Sequence, residues 1–251
     1  MSSSVTAESP IAEALARSAV YRFLSLAFLP PGDSLEPLRE ECAAALRALA
    51  SGPDREAARG AAAEAASRQL ETASGQALRG EYYRIFGHQI SRDCPLYETQ
   101  YEAREIFQQT QQLADIAGFY LAFGLEMADG VHERPDHLAL ELEFLQLLCF
   151  REAYARTHHS PAEVAILRDA QHLFLRDHLC RWVPVLARLI GRKGESLYLD
   201  LARLAAATVA ADASAFGLLV EEAVYEPPSS VEPEAASLPC GAATCPIQPG
   251  I

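Results

Sequence analysis

Ile11-Ala12-Glu13-Ala14-Leu15-Ala16-Arg17-Ser18-Ala19-Val20-Tyr21-Arg22-Phe23-Leu24-Ser25-Leu26-Ala27-Phe28-Leu29-Pro30-Pro31-Gly32-Asp33 decides the fold class. Ile11, Leu15, Ala19, Phe23 and Leu26 recur at three- and four-residue steps, the period of a helix with one buried face, and the Pro-Pro-Gly-Asp run stops it. The same period continues outward. Helices are expected over 34–50, with Ser34 as N-cap, and over 55–74, a very Ala-rich and weakly amphipathic stretch expected at the surface. A short helix over 76–87 buries Leu78, Tyr82, Ile85 and Phe86. Further helices are expected over 103–123, 135–156, 160–179, 182–190, 196–211 and 214–224. The segment 88–101 shows no helical period and holds Asp93-Cys94-Pro95, so it reads as an ordered loop.

Composition agrees. The 251 residues include 78 Ala plus Leu but only 19 Val plus Ile, and β-branched residues are the ones that favour strands. Of 21 basic residues all but Lys193 are Arg, a coding bias that would also inflate Ala, so the periodicity has to carry the assignment. The expectation is all-α: a single multi-helix bundle over 11–225, preceded by a flexible 1–10 and followed by a disordered Pro/Glu/Ser-rich tail over 226–251. No self-similarity indicates a solenoid.

Charge and cysteine bound the function. The net charge is −13, with no basic stripe, which argues against a nucleic-acid partner and suits a cationic one. The apolar patch 19–29 is interrupted by Arg22, lacks a basic flank and is not a signal peptide; no run is long enough to insert in a membrane. A cytoplasmic protein is expected, its six cysteines reduced thiols. Cys240 and Cys245 form a Cys-x4-Cys pair, a weak metal signal.

Two constellations could carry chemistry. In Glu133-Arg134-Pro135-Asp136-His137-Leu138-Ala139-Leu140-Glu141, Pro135 fits the first helical position and Asp136 the first turn, at an exposed loop–helix junction. His137 and Glu141 are then an i, i+4 pair on an apolar stripe. Three readings stay open for them. They can be a buried hydrogen bond orienting His137, two of the ligands of a metal, or part of a recognition site anchored by Glu133 and Asp136. The second constellation is the loop Cys94-Pro95-Leu96-Tyr97-Glu98-Thr99-Gln100-Tyr101. Its aromatics and carboxylate could grip a peptide through apolar contact and arginine pairing, or simply pin the loop. His158, His159, His172 and His178 read as solvated. No nucleophile elbow or phosphate-binding glycine motif is present.

Three stretches in order resemble the TorD/DmsD/NarJ family of redox-enzyme maturation chaperones. Tyr82-Tyr83-Arg84-Ile85-Phe86 is similar to the family's Tyr-x-Arg-Leu-Phe helix. Pro95-Leu96-Tyr97-Glu98-Thr99-Gln100-Tyr101 is similar to its Pro-Pro-Tyr-Glu-Ser-x-Tyr loop, and Glu133 to His137 with Glu141 to its Glu-x-Pro-x-Asp-His signature. Tyr21-Arg22-Phe23-Leu24 with Pro30-Pro31 fits its first helix, so the likeness spans about 11–224 and leaves the tail uncovered. Within the family it is nearest to the delta-subunit chaperones of periplasmic molybdoenzymes of the DMSO reductase type.

The resemblance implies a TorD-like bundle with a non-enzymatic role. No bound metal and no catalytic residue are expected, because no complete ligand set or catalytic constellation is found; no cofactor is assigned, and whether a nucleotide or the molybdenum cofactor is bound is left open. It implies binding of the twin-arginine leader or apo catalytic subunit of a molybdenum oxidoreductase, before cofactor insertion and export. The residues carried over for client binding are Tyr97, Glu98, Tyr101, Glu133, Pro135, Asp136, His137 and Glu141. Self-association into a homodimer, and the identity of the client, are left open. Two readings from other classes stand beside this one: a helical metalloprotein or metalloenzyme using His137 and Glu141, and a dimeric scaffold without leader binding.

Overall fold

A computed structural model describes residues 9–50, 57–88, 91–102, 106–127, 133–219 and 221–225; the expected flexible start and the expected tail, with Cys240 and Cys245, fall outside these residues apart from Ser9 and Pro10. The elements are α1 (Pro10–Ala27), α2 (Glu36–Ala50), α3 (Ala57–Thr72), α4 (Gly75–Phe86), α5 (Thr99–Glu102), α6 (Ile106–Ala122), α7 (Leu138–His158), α8 (Pro161–Phe174), a π-helical turn (Leu175–Leu179), α9 (Cys180–Gly191) and α10 (Leu197–Ala215). Among the described residues the β pairing is one isolated antiparallel bridge, Tyr97 with His137. None of the described helices is long and apolar enough to cross a membrane.

Helix α1 begins where Pro10 supplies a preset φ at a position whose N–H needs no partner; it packs against α7 and α2 and buries Val20, Tyr21, Phe23 and Leu24. Burying a side chain of this size stabilises the fold by about 1.5 to 3 kcal/mol. Helices α2, α3, α10 and α9 pack in that order, each on the next. The Ala-rich α3 lies at the surface, with Ala61, Glu64, Arg68 and Glu71 exposed, and its inner face is close-packed: Ala63 and Ala66 are fully buried and Leu70 nearly so, because small side chains let it lie close against α2 and α10. Gly75 opens α4 beneath the turn after α1, where a Cβ would stand 2.5 Å from the Asp33 carbonyl oxygen.

Three boundaries differ from expectation. Helix α7 starts at Leu138, so Pro135 and Asp136 precede it and His137 is its N-cap. The expected break between 179 and 182 does not occur, since α8 runs through the π turn directly into α9. The π turn precedes Pro184, which lacks the N–H that would bond the Cys180 carbonyl and would crowd that carbonyl in a regular helix. The separate helix expected over 214–224 does not form among the described residues: α10 runs through 211–214 without a break and ends at Ala215. Gly217 at φ 68° takes the left-handed stop while the Leu218 N–H returns to the Ala213 carbonyl at 2.9 Å. Beyond it a non-helical strap over 221–225 returns to the bundle, its Ala223 N–H bonding the Arg181 carbonyl at 2.7 Å and Tyr225 packing on Tyr101, tilted, with centroids 4.9 Å apart.

A buried ionic network ties α1, α7, α8 and α10 together. Asp212 accepts from Arg17 Nε at 2.9 Å and from Tyr21 Oη at 2.7 Å, with Arg17 Nη2 also 2.7 Å away. On the other side Glu152 accepts from Arg156, Arg168 and Gln171 at 2.6, 3.2 and 2.8 Å. Burial disfavours the Glu152 charge, but Gln171 and the surrounding arginines outweigh it and hold the carboxyl below its ordinary range.

Candidate functional site

The loop before α5 and the loop before α7 are laced together. The Glu98 N–H bonds the Asp136 carbonyl at 3.0 Å and the Leu138 N–H bonds the Leu96 carbonyl at 2.9 Å, which makes the Tyr97–His137 bridge. Each side-chain contact across it follows from that register. Tyr97 Oη donates a short hydrogen bond to Glu133, and its ring meets His137 edge-on at 5.0 Å. Burial, then the bond to Glu133, pushes the Tyr97 phenol up, so it remains a donor.

Asp136 is fully buried. Its Oδ1 accepts from Arg134 Nε at 2.9 Å, and its Oδ2 accepts from Arg134 Nη2 at 2.6 Å, from Thr99 Oγ1 at 2.8 Å and from the Thr99 N–H at 3.2 Å. This is a fork pairing, the geometry in which a guanidinium binds a carboxylate most specifically. The Arg134 guanidinium also lies over the Tyr97 ring, 4.8 Å from its centroid. Asp136 is therefore not the exposed first-turn charge expected from Pro135; its position is set by Thr99, which lies far away in sequence.

His137 and Glu141 do not bond each other. His137 Nδ1 accepts from the Ala139 N–H at 3.2 Å, capping α7. An accepting Nδ1 requires a neutral ring, and burial, opposed by Glu133 and Asp136, lowers the His137 pKa in agreement. Glu141 Oε2 accepts from Trp182 Nε1 at 3.2 Å. Burial first, then the charge of Glu98 and a hydrogen bond to it, pushes the Glu141 carboxyl well above its ordinary range. Its Oε1 meets no ordinary donor, and a retained proton donated to Glu98 resolves this.

Glu98 is the hub of this second layer. Gln112 donates to it at 2.7 Å, and His178 Nδ1 stands 3.0 Å from Oε2. His178 is 2 % exposed rather than solvated as expected, held between the rings of Phe119 and Phe174. The π turn aims it, since an added residue per turn shifts the face a regular helix would present. Tyr101, 3 % exposed, donates to the Pro95 carbonyl at 2.7 Å and packs on Trp182 and Tyr225.

Of the eight residues singled out in sequence, Tyr97, Glu133 and Pro135 are half-buried at the surface, while Glu98, Tyr101, Asp136, His137 and Glu141 lie beneath them. Sequence reasoning passed over Arg134, Thr99, Gln112 and Trp182, and it read His178 as solvated. The first two stood inside the quoted motifs; the other three carry no local signal. Among the described residues no group of three or more His, Cys, Asp and Glu is arranged to hold a metal ion.

The buried Glu141 makes a pH prediction. A carboxyl whose pKa is raised by folding binds its proton better in the native state, so its contribution is full below the unfolded value of about 4.5 and is lost as pH rises through the folded value. Glu141→Gln keeps a donor for Glu98 and an acceptor for Trp182 without titrating. Relative to the parent it should therefore gain stability as the pH of urea melts is raised above about 5, until the pH passes the folded value. Fluorescence from Trp182, the one tryptophan of the chain, reads the transition.

Comparison with known proteins gives the chain's family. The chain is 38 % identical over 76 residues to a selenate reductase assembly chaperone protein of Thauera selenatis, a match covering 30 % of this chain and 38 % of that protein. It is 38 % identical over 72 residues to a chlorate reductase assembly chaperone protein of Ideonella dechloratans, covering 29 % and 36 %. It is 32 % identical over 102 residues to the chaperone protein TorD of Vibrio cholerae, covering 40 % and 45 %. The chain thus spans less than half the length of these relatives. The model of the nitrate reductase delta subunit family matches residues 37–188, well over half of the chain and including both laced loops. As the three ordered motifs suggested, the chain belongs to the nitrate reductase delta subunit family of TorD- and NarJ-type redox-enzyme maturation proteins.

Proposed function

We propose that this chain is a cytoplasmic assembly chaperone, without catalysis of its own. In this reading it binds the twin-arginine leader or cofactor-free catalytic subunit of a molybdenum oxidoreductase and holds it until the cofactor is inserted, before export. The names of its relatives, assembly chaperones for selenate and chlorate reductases, support the partner class. The observation that carries the site is the lacing of the two loops. It presents Tyr97, Glu133, Arg134 and Pro135 as one half-exposed face with an aromatic ring beside a carboxylate, backed by the buried Asp136 and its hydrogen bonds to Arg134 and Thr99. Such a face suits an arginine-bearing segment with apolar neighbours. The alternative metal reading finds no support in the geometry, since His137 Nδ1 caps α7 and Glu141 is bound to Trp182 and Glu98.

Co-expression of the full chain with candidate catalytic subunits, followed by affinity purification and mass spectrometry, tests the reading. Recovery of a molybdenum-enzyme catalytic subunit is expected; purification without any such subunit would contradict it. Leader affinity should also fall with salt. The chain carries −13, and the Debye length shrinks from about 10 Å at 0.1 M to about 3 Å at 1 M. Titration of a labelled twin-arginine peptide at two ionic strengths reads this, and an unchanged affinity would mean that apolar contact alone holds the leader.

A further inference from the structure

We propose that Arg134 is a built-in stand-in for a partner's arginine: its guanidinium fills an arginine site made by Tyr97, Thr99 and Asp136, and an arginine side chain of the bound polypeptide displaces it. The inference rests on the client-binding reading above and adds how that site is regulated. The pocket has what guanidinium recognition requires. A carboxylate offers both oxygens at 2.9 and 2.6 Å, Thr99 Oγ1 lies 2.7 Å from Nη2, and an aromatic face stacks at 4.8 Å.

Exposure distinguishes this pair from a structural one. In the Arg17–Asp212 pair both side chains are enclosed, at 10 % and 4 % exposure, and no incoming group can reach either. In the Arg134–Asp136 pair the carboxylate is at 0 % while the arginine side chain is 34 % exposed, so the guanidinium itself is the layer between Asp136 and solvent. Swinging it outward uncovers the pocket without disturbing the backbone bonds that lace the loops. Exchange of one guanidinium for another conserves the hydrogen bonds and the charge. The exchange then favours the partner only if its neighbouring residues add contacts, so a lone arginine competes poorly with the internal one. Arg134 thereby acts as a filter against short or incidental arginine-containing chains.

The test uses the full chain with Arg134→Ala, titrated calorimetrically with N-acetyl-arginine-N-methylamide and with its lysine counterpart. Emptying the site should create saturable binding of the arginine compound and raise the melting temperature in its presence. The lysine compound, lacking the fork, should do neither, and the parent chain should bind neither measurably. A labelled twin-arginine peptide should bind Arg134→Ala about tenfold more tightly than the parent, since the competing internal state is gone. Absence of arginine-specific binding, or peptide affinity that stays equal or falls, would overturn the proposal. If Arg134→Ala does not fold, the parent chain decides by NMR. Saturation with the peptide should abolish the protection of the Arg134 Nε–H against exchange, and retained protection would overturn the displacement. Client capture by the parent chain is scored separately, so failure of the stand-in leaves the chaperone reading standing, whereas failure of capture removes both.

Discussion

An Asp212→Ala chain is expected to lose about 3 to 5 kcal/mol of stability, the range for breaking a buried ion pair by removing one partner. Arg17 would be left almost fully enclosed, with Glu152 at 3.7 Å as the nearest carboxylate, and Tyr21 Oη would lose its acceptor in a fully buried position. Burial alone would lower the Arg17 pKa, and it is chiefly Asp212 that holds it raised instead. For a domain of this size the loss corresponds to a fall of roughly 6 to 20 °C in melting temperature. Differential scanning calorimetry checks it. A shift under 2 °C would show that the network is dispensable.

Asp136→Ala should also be costly, by about 2 to 3 kcal/mol. The junction that sequence placed in solvent is fully buried, and the substitution strips acceptors from Thr99 Oγ1, the Thr99 N–H and Arg134. The cost stays below that of Asp212→Ala because Arg134 is already a third exposed and rehydrates once released. A urea melt measures it. A stability within 0.5 kcal/mol of the parent, as for an ordinary surface substitution, would mean the lacing does not depend on this carboxylate. The consequence for function is practical: loss of client binding in Asp136→Ala cannot by itself identify a contact residue, because the loops it joins come apart together.

Sequence pattern carried the fold further than the site. The helical period was legible but the buried face was less so: of the residues that set it in α1, Phe23 is buried while Leu15 is 45 % exposed, and α7 is buried around most of its circumference. The π turn was not legible, since its wider closure leaves no recurring apolar step. His178 consequently read as a solvated neighbour of Arg176 and Asp177, although the turn directs it onto Glu98. The strap after α10 looked helical from composition, and one left-handed glycine, Gly217, ended the helix instead. At the site, both motifs were visible but their relation was not. Thr99 meets Asp136 and Tyr97 meets Glu133 only after the bundle forms, and a periodicity argument sees no pairing so distant along the chain. Rules for helix starts favoured Pro135, yet Pro135 and Asp136 form a turn and the bridge to Tyr97 holds His137 extended, which moves the cap to His137.

The central claim is that the laced face around Tyr97 and Glu133 takes the partner polypeptide. The most direct measurement is calorimetric titration of a twin-arginine leader peptide into the parent chain, Tyr97→Ala, Glu133→Ala and Tyr154→Ala. Each variant is first shown by melting to be folded at the working temperature. Tyr154 is the control: it is exposed and lies sixteen residues along α7 from Leu138, about 24 Å away at 1.5 Å per residue. Loss of about tenfold or more in affinity for Tyr97→Ala and Glu133→Ala, with Tyr154→Ala matching the parent, is the predicted result. Equal affinity across all four folded chains, or a loss confined to Tyr154→Ala, would contradict it and move the partner to another face of the bundle.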